Sequence, residues 1–138
     1  MNADARAARY AVGLGCDRGT PQATLQQVLD DALARLGAQP GQVVAAASID
    51  LKADEAGLLA LARTHGWTLR FYPAAELAQV PVPHPSETVR RHTGTPSVSE
   101  ASALLAGGGL PMTALVVEKQ KHRGADGRHA TVSVARIS

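Results

Sequence analysis

A helix bracketed by two apolar runs that do not alternate narrows the fold more than any other feature of the chain. Leu25, Val28, Leu29, Ala32, Leu33 and Leu36 recur at three- and four-residue spacing. Thr20 stands before them as a cap, with Pro21 at the first helical position, and Gly37 ends the pattern. Ahead of this helix, residues 9–14 (RYAVGL) form a short apolar run halted by Gly15. Behind it, Val43 to Ile49 is apolar with no period of two. A strand without alternation has both faces covered, and parallel strands joined by a helical crossover provide that cover. The chain is therefore expected to open as β-α-β with helices packed on the sheet.

The pattern continues. Asp54 is placed to cap a second helix carrying Leu58, Leu59, Leu61 and Ala62 and stopped by Gly66, and a third strand, Thr68 to Tyr72, ends at Pro73. Ala74 to Val80 reads as a short helix. Pro81, Pro83 and Pro85 then remove three backbone donors and require a loop. Ser86 opens a helical turn through Arg91, and Ser97-Val98-Ser99-Glu100 is a capping-box pattern for a helix that reaches Leu105 and stops in Gly107-Gly108-Gly109. Thr113 to Val117 and Ala130 to Ile137 are β-rich, with turn chemistry at Gly124-Ala125-Asp126-Gly127. The expected fold is a three-layer α/β/α domain whose mixed, mostly parallel sheet of about five strands ends in an antiparallel hairpin. A weakly ordered N-terminus over residues 1–8 would precede a single domain over 9–138, a size that forms one core without disulfide or structural metal.

Composition removes several functions. The 14 Lys+Arg against 12 Asp+Glu leave a formal charge of +2, a weak field, and aromatics at 3% offer no platform for stacked bases, so nucleic acid is not an expected partner. No apolar run approaches the roughly 18 residues of a membrane helix, and residues 1–9 lack the apolar stretch of a signal peptide. With a single cysteine, the expectation is a soluble cytoplasmic protein in a reducing compartment. The five histidines have no ligand spacing, so neither a metal nor any other cofactor is expected.

Gly13-Leu14-Gly15 fails as a dinucleotide fingerprint because the third glycine falls at Gly19, one place late. What remains there is an anion cradle built from Arg18 and the amides of Gly19 and Thr20, or else a tight turn with a surface arginine. Cys16 lies at a strand end near a helix start, with no histidine beside it in sequence to act as a base, and reads as a lining residue. Asp50 and Lys52 sit at the end of the second apolar strand, where α/β sheets place ligand groups. Asp50 is the candidate general base; the alternative is an Asp50–Lys52 surface pair. Lys119 and Lys121 share one face of an extended strand, beside His122. They suit a ligand with several carboxylates, or they protect an edge strand against aggregation. His84 and His92 flank the proline-rich loop. The substrate-binding set is thus Cys16, Arg18, Gly19, Thr20, Lys52, Ser97, Lys119, Lys121 and His122.

Four segments together resemble the cobalamin-biosynthesis CobE family, which is also the C-terminal domain of CbiG: GLGCDRGT (13–20), ASIDLKADEAGLLALA (47–62), HPSETVRRHTGTPSVSEASALLAGGG (84–109) and LVVEKQKHRGADGRHATVSVARI (115–137). The similarity runs from about Tyr10 onward, and with no further N-terminal domain the chain looks like the stand-alone CobE form. In one departure from the family's pattern, Asp17 precedes Arg18 where two basic residues commonly follow the cysteine. The resemblance implies a role in corrin-ring assembly. CbiG-type proteins open a δ-lactone on a cobalt-precorrin and release acetaldehyde. CobE-type proteins belong with the aerobic route. The expected partner is a precorrin or other corrinoid intermediate, with other corrin-pathway enzymes alongside. Its carboxylate rim would meet Arg18, Lys52, Lys119 and Lys121, and its ring face would meet apolar surface near the third strand and the proline-rich loop. Binding or carriage is favoured over lactone hydrolysis. The rival from another class is a small anion- or nucleotide-binding regulatory domain.

Overall fold

The computed structural model of the chain describes residues 8–138. The expected weakly ordered N-terminus falls outside these residues except for Ala8, which is buried and whose carbonyl accepts a hydrogen bond from Gln42 Nε2 at 3.0 Å. Five strands form one mixed sheet: β1 (Tyr10–Cys16), β2 (Val43–Ile49), β3 (Leu69–Tyr72), β4 (Leu115–Arg123) and β5 (His129–Arg136), in the order β3-β2-β1-β5-β4. β1, β2 and β3 pair in parallel. β5 runs antiparallel to both its neighbours, so four strands share one direction. The helices are α1 (Gln22–Leu36), α2 (Ala56–His65), α3 (Ala74–Leu77), α4 (Glu87–Thr93) and α5 (Ser99–Ala106). Among the described residues, no helix is long and apolar enough to cross a membrane.

Alternation along β1 separates the two outer layers. Tyr10, Val12 and Leu14 join Leu25, Val28, Leu29 and Leu33 of α1 in the main core, and β5 adds Val132 and Val134. Each such side chain, taken fully out of water, contributes about 1.5–3 kcal/mol. Gly37, with φ of +62°, ends α1 in the left-handed conformation that glycine accepts without penalty. The opposite face is made of small residues. Ala11 and Ala47 meet Ala106, and Ala103 of α5 meets Ala135. A Cβ on Gly13 would overlap the Ser99 carbonyl oxygen and stand 2.5 Å from the Ala103 amide nitrogen. Gly13 is therefore glycine because α5 rides directly on β1, which accounts for half of the Gly13-Leu14-Gly15 pair without any nucleotide.

The hairpin differs from its expected extent. β4 continues six residues past Val117, and the register with β5 slips twice, once between Leu115 and Val117 and once between Val117 and Gln120. The second slip leaves one extra residue on β4 in the Glu118-Lys119 stretch, a β-bulge that reverses which side chains face which layer. Val117 packs into the α1 core. Beyond the bulge it is Gln120 and His122 that turn toward α1, Gln120 accepting from Arg35 at 2.9 Å. Lys119 and Lys121 therefore face the other side.

Candidate functional site

A cleft of about 650 Å³ opens at the carboxyl ends of β1 and β2. Gly15 to Arg18 form one wall, Ile49, Leu51 and Lys52 the next, α4 and the Ser97-Val98-Ser99 approach to α5 a third, and Lys119 and Lys121 the fourth. These elements converge because β5 inserts beside β1, pairing Cys16 with Ala130, so that the start of β5 and the lysine-bearing half of β4 lie against the β1 loop. A second cavity of about 550 Å³ between Pro40 and Arg70 collects none of the candidate residues.

The cleft brings together Cys16, Arg18, Lys52, Ser97, Lys119 and Lys121. Neither Lys52 nor Lys119 nor Lys121 is ion-paired among the described residues. The one carboxylate on the wall, Asp17, is already engaged, accepting from the His129 backbone N–H at 2.8 Å and meeting its ring Nδ1 at 3.1 Å. Partial desolvation works against ionisation of Asp17, but the bonds from His129 outweigh it and hold the carboxyl below its usual range. The residue that departs from the family's first-loop pattern is thus a fastener between that loop and β5. Apolar atoms come from Ile49, Leu51, Val89 and Val98, while β3, expected to lie against a ring face, does not line the cleft.

Four expectations about the first loop and its surroundings need correction. The anion cradle is filled from within: the Glu55 carboxylate, only 3% exposed, accepts from the Gly19 amide at 3.0 Å and lies 2.8 Å from Arg18 Nη1. Arg18 also pairs with Asp54 at 2.8 Å and donates to the Leu51 carbonyl at 3.1 Å, leaving its guanidinium committed. Thr20 does not cap α1. Its hydroxyl donates to the Asp17 carbonyl at 2.7 Å, and its amide bonds the same oxygen, closing the turn. Asp54 does not cap α2 either, because Glu55 holds the N-cap position and Asp54 turns outward to Arg18.

Asp50 and His122 also fall outside. Asp50 is exposed as the first residue of a 3₁₀ turn, absent from the cleft wall and unpaired with Lys52, so it is neither placed as the general base nor the partner its alternative reading gave it. His122 is one step out of phase with the lysines and lies with Thr24 and Gln27 on the α1 side. His92 does reach the cleft, whereas His84 meets Glu118 at 3.1 Å. Sequence reasoning missed α4 as a wall, since Thr88 and Val89 carry no motif, and missed Glu55, which differs from its neighbour Asp54 only by one position.

Among the described residues, Cys16 meets the Thr20 hydroxyl but no basic side chain is hydrogen-bonded to it. Burial pushes its thiol above the usual range, and the nearby Lys52 only partly offsets this. Its alkylation by iodoacetamide at pH 7 is expected to be slower than that of free glutathione; a faster rate would mark an activated thiolate.

Residues 10–135 match the family model described as the C-terminus of cobalamin synthesis protein G. The chain belongs to the CobE/CbiG C-terminal family. Over 130 residues it is 35% identical to Protein CobE from Sinorhizobium sp, covering 93% of this chain and 80% of that protein. Over 98 residues it is 41% identical to the cobalt-precorrin-5A hydrolase of Priestia megaterium, covering 71% of this chain but only 26% of the hydrolase. The chain thus spans about a quarter of that relative's length. A crystal structure of CobE, a protein from the cobalamin (vitamin B12) biosynthetic pathway, superposes with a TM-score of 0.74 at 32% identity, covering 95% of this chain and 92% of that one. Membership of this family makes the chain a cobalamin-biosynthesis protein with an α/β fold.

Proposed function

We propose that this CobE/CbiG C-terminal domain binds a polycarboxylate corrin intermediate in the cleft and acts as a carrier or accessory protein. The observation that carries the reading is the set of three lysines, Lys52, Lys119 and Lys121, unpaired among the described residues and lining one cleft whose remaining wall includes Ile49, Val89 and Val98. A macrocycle rimmed with acetates and propionates presents the complementary surface, an apolar face edged by anions. A cleft of about 650 Å³ is within the ordinary range for small-molecule sites. Arg18, Gly19 and Thr20 then act as the frame of the first loop and not as ligand groups. Cys16 and Ser97 contribute wall.

Binding is expected to weaken as salt rises, since exposed charges are screened over about 10 Å at 0.1 M ionic strength. Dicyanocobyrinic acid, a stable corrinoid with its rim carboxylates free, should co-elute with the protein in gel filtration at low salt and separate from it at high salt. Affinity without salt dependence would remove the lysines from the account.

The similarity to a cobalt-precorrin-5A hydrolase supports a second reading, lactone opening. In that chemistry a base activates water while fixed donors hold the developing oxyanion. Asp50 stands outside the cleft and the Gly19 amide is occupied by Glu55, so the groups nominated from sequence do not assemble for it. Incubation with a lactone-bearing cobalt-precorrin separates the two readings. Stoichiometric complex without mass change supports carriage; acetaldehyde release supports hydrolysis.

A further inference from the structure

Glu100, the second residue of α5, is fully buried, and neither carboxylate oxygen has a hydrogen-bond partner among the described residues. The expected capping box explains how it came to be orphaned. In such a box Glu100 would receive the Ser97 amide, but that amide is taken by the Thr95 hydroxyl at 3.4 Å, while Ser97 Oγ accepts from Ala101 one position beyond. An unpartnered buried carboxyl is costly when ionised and carries no catalytic duty in the cleft as described.

Its charged surroundings lead back to the cleft. Lys119 and Glu118 of β4 and His84 of the proline-rich loop are the titratable groups that act on it. His84, held to Glu118 at 3.1 Å, also acts on Glu100 through its ring and its backbone amide, but it does not line the cleft, so Lys119 is the cation shared between Glu100 and the cleft. Desolvation raises the Glu100 carboxyl above its ordinary range, and Lys119 pulls in the opposite direction.

Resting on the corrinoid reading above, we propose that Glu100 is a positioning residue that couples ligand binding to proton uptake: a ligand carboxylate that engages Lys119 neutralises the cation facing Glu100, and Glu100 takes a proton. Linkage fixes the sign. If binding favours protonated Glu100, then ionising Glu100 disfavours binding by the same factor, so affinity falls as pH rises through its titration. Protonated Glu100 leaves Lys119 wholly to the ligand; ionised Glu100 competes for it and repels the incoming anion.

The test measures the Kd for dicyanocobyrinic acid across pH in the wild-type protein, in Glu100→Gln, and in Glu100→Met, which replaces the orphaned carboxyl by an apolar group should the amide disturb folding. The wild type is expected to lose about fivefold or more in affinity between its acidic and alkaline plateaus, a typical coupling factor. Both variants should hold the acidic plateau throughout. Calorimetry in two buffers of different ionisation enthalpy should show proton uptake in the wild type that exceeds that of either variant. A variant that keeps the wild-type pH profile, or loses affinity at every pH while folded, overturns the coupling but leaves corrinoid binding standing. A wild-type protein that binds the corrinoid at no pH overturns both.

Discussion

Gly13→Ala is expected to destabilise the protein by about 3 kcal/mol, the upper range for overpacking a close interface, and to lower Tm by about 10 °C for a chain of this size. The added methyl meets backbone and not a side chain that can turn away: the Ser99 carbonyl oxygen and the Ala103 amide. Relief requires α5 to lift from β1, separating the Ala103–Ala135 and Ala106–Ala11 contacts together. Because Ser97 to Ser99 form part of the cleft wall, the variant should also bind corrinoid more weakly where it is still folded. Thermal denaturation followed by circular dichroism checks the first effect. A Tm within about 2 °C of wild type, less than 1 kcal/mol by the same scaling, would mean that α5 does not ride on Gly13 as described.

The double variant Lys119→Ala/Lys121→Ala is expected to bind dicyanocobyrinic acid roughly 30- to 150-fold more weakly. Two lysine–carboxylate contacts, one on a half-buried and one on an exposed side chain, together supply about 2 to 3 kcal/mol, and each 1.4 kcal/mol is about tenfold in Kd. Tm should move little, since neither lysine is ion-paired among the described residues and surface substitutions usually change stability by less than about 0.5 kcal/mol. The flatter salt dependence of the double variant is the internal control. Equal affinities in the two proteins would place the ligand elsewhere.

The parts of the fold that local physics dictates were legible. α1 follows from apolar spacing and a glycine stop, and β2 from an unalternated apolar run; both occupy the expected residues. The pairing of β5 with β1 was not legible, because it joins residues more than a hundred positions apart and no local pattern distinguishes β4 from β5 as the inner strand. That pairing assembles the cleft. Of the proposed ligand groups, Lys52, Lys119 and Lys121 converge through it, whereas the donors of Arg18 and Gly19 meet a buried acid three dozen residues away, Glu55, and those of Thr20 meet the Asp17 carbonyl, pairings that no local pattern announces. The capping-box pattern hid Glu100 in the same manner, by supplying a conventional use for a carboxylate that Thr95 had already made redundant.

One strand here answers to two constraints that period-two alternation would set against each other. In β4, Val117 must enter the α1 core while Lys119 must not, although strict alternation would send both the same way. The extra residue at Glu118-Lys119 uncouples them, so the first half of the strand is governed by packing and the second half by charge. A lineage can then revise the cleft-facing residues beyond the bulge without renegotiating the hydrophobic core. Conversely, straightening the bulge with every residue kept would turn the lysines toward α1 and bring Gln120 and His122 to the cleft, whereas excising the one extra residue would leave both faces as they are.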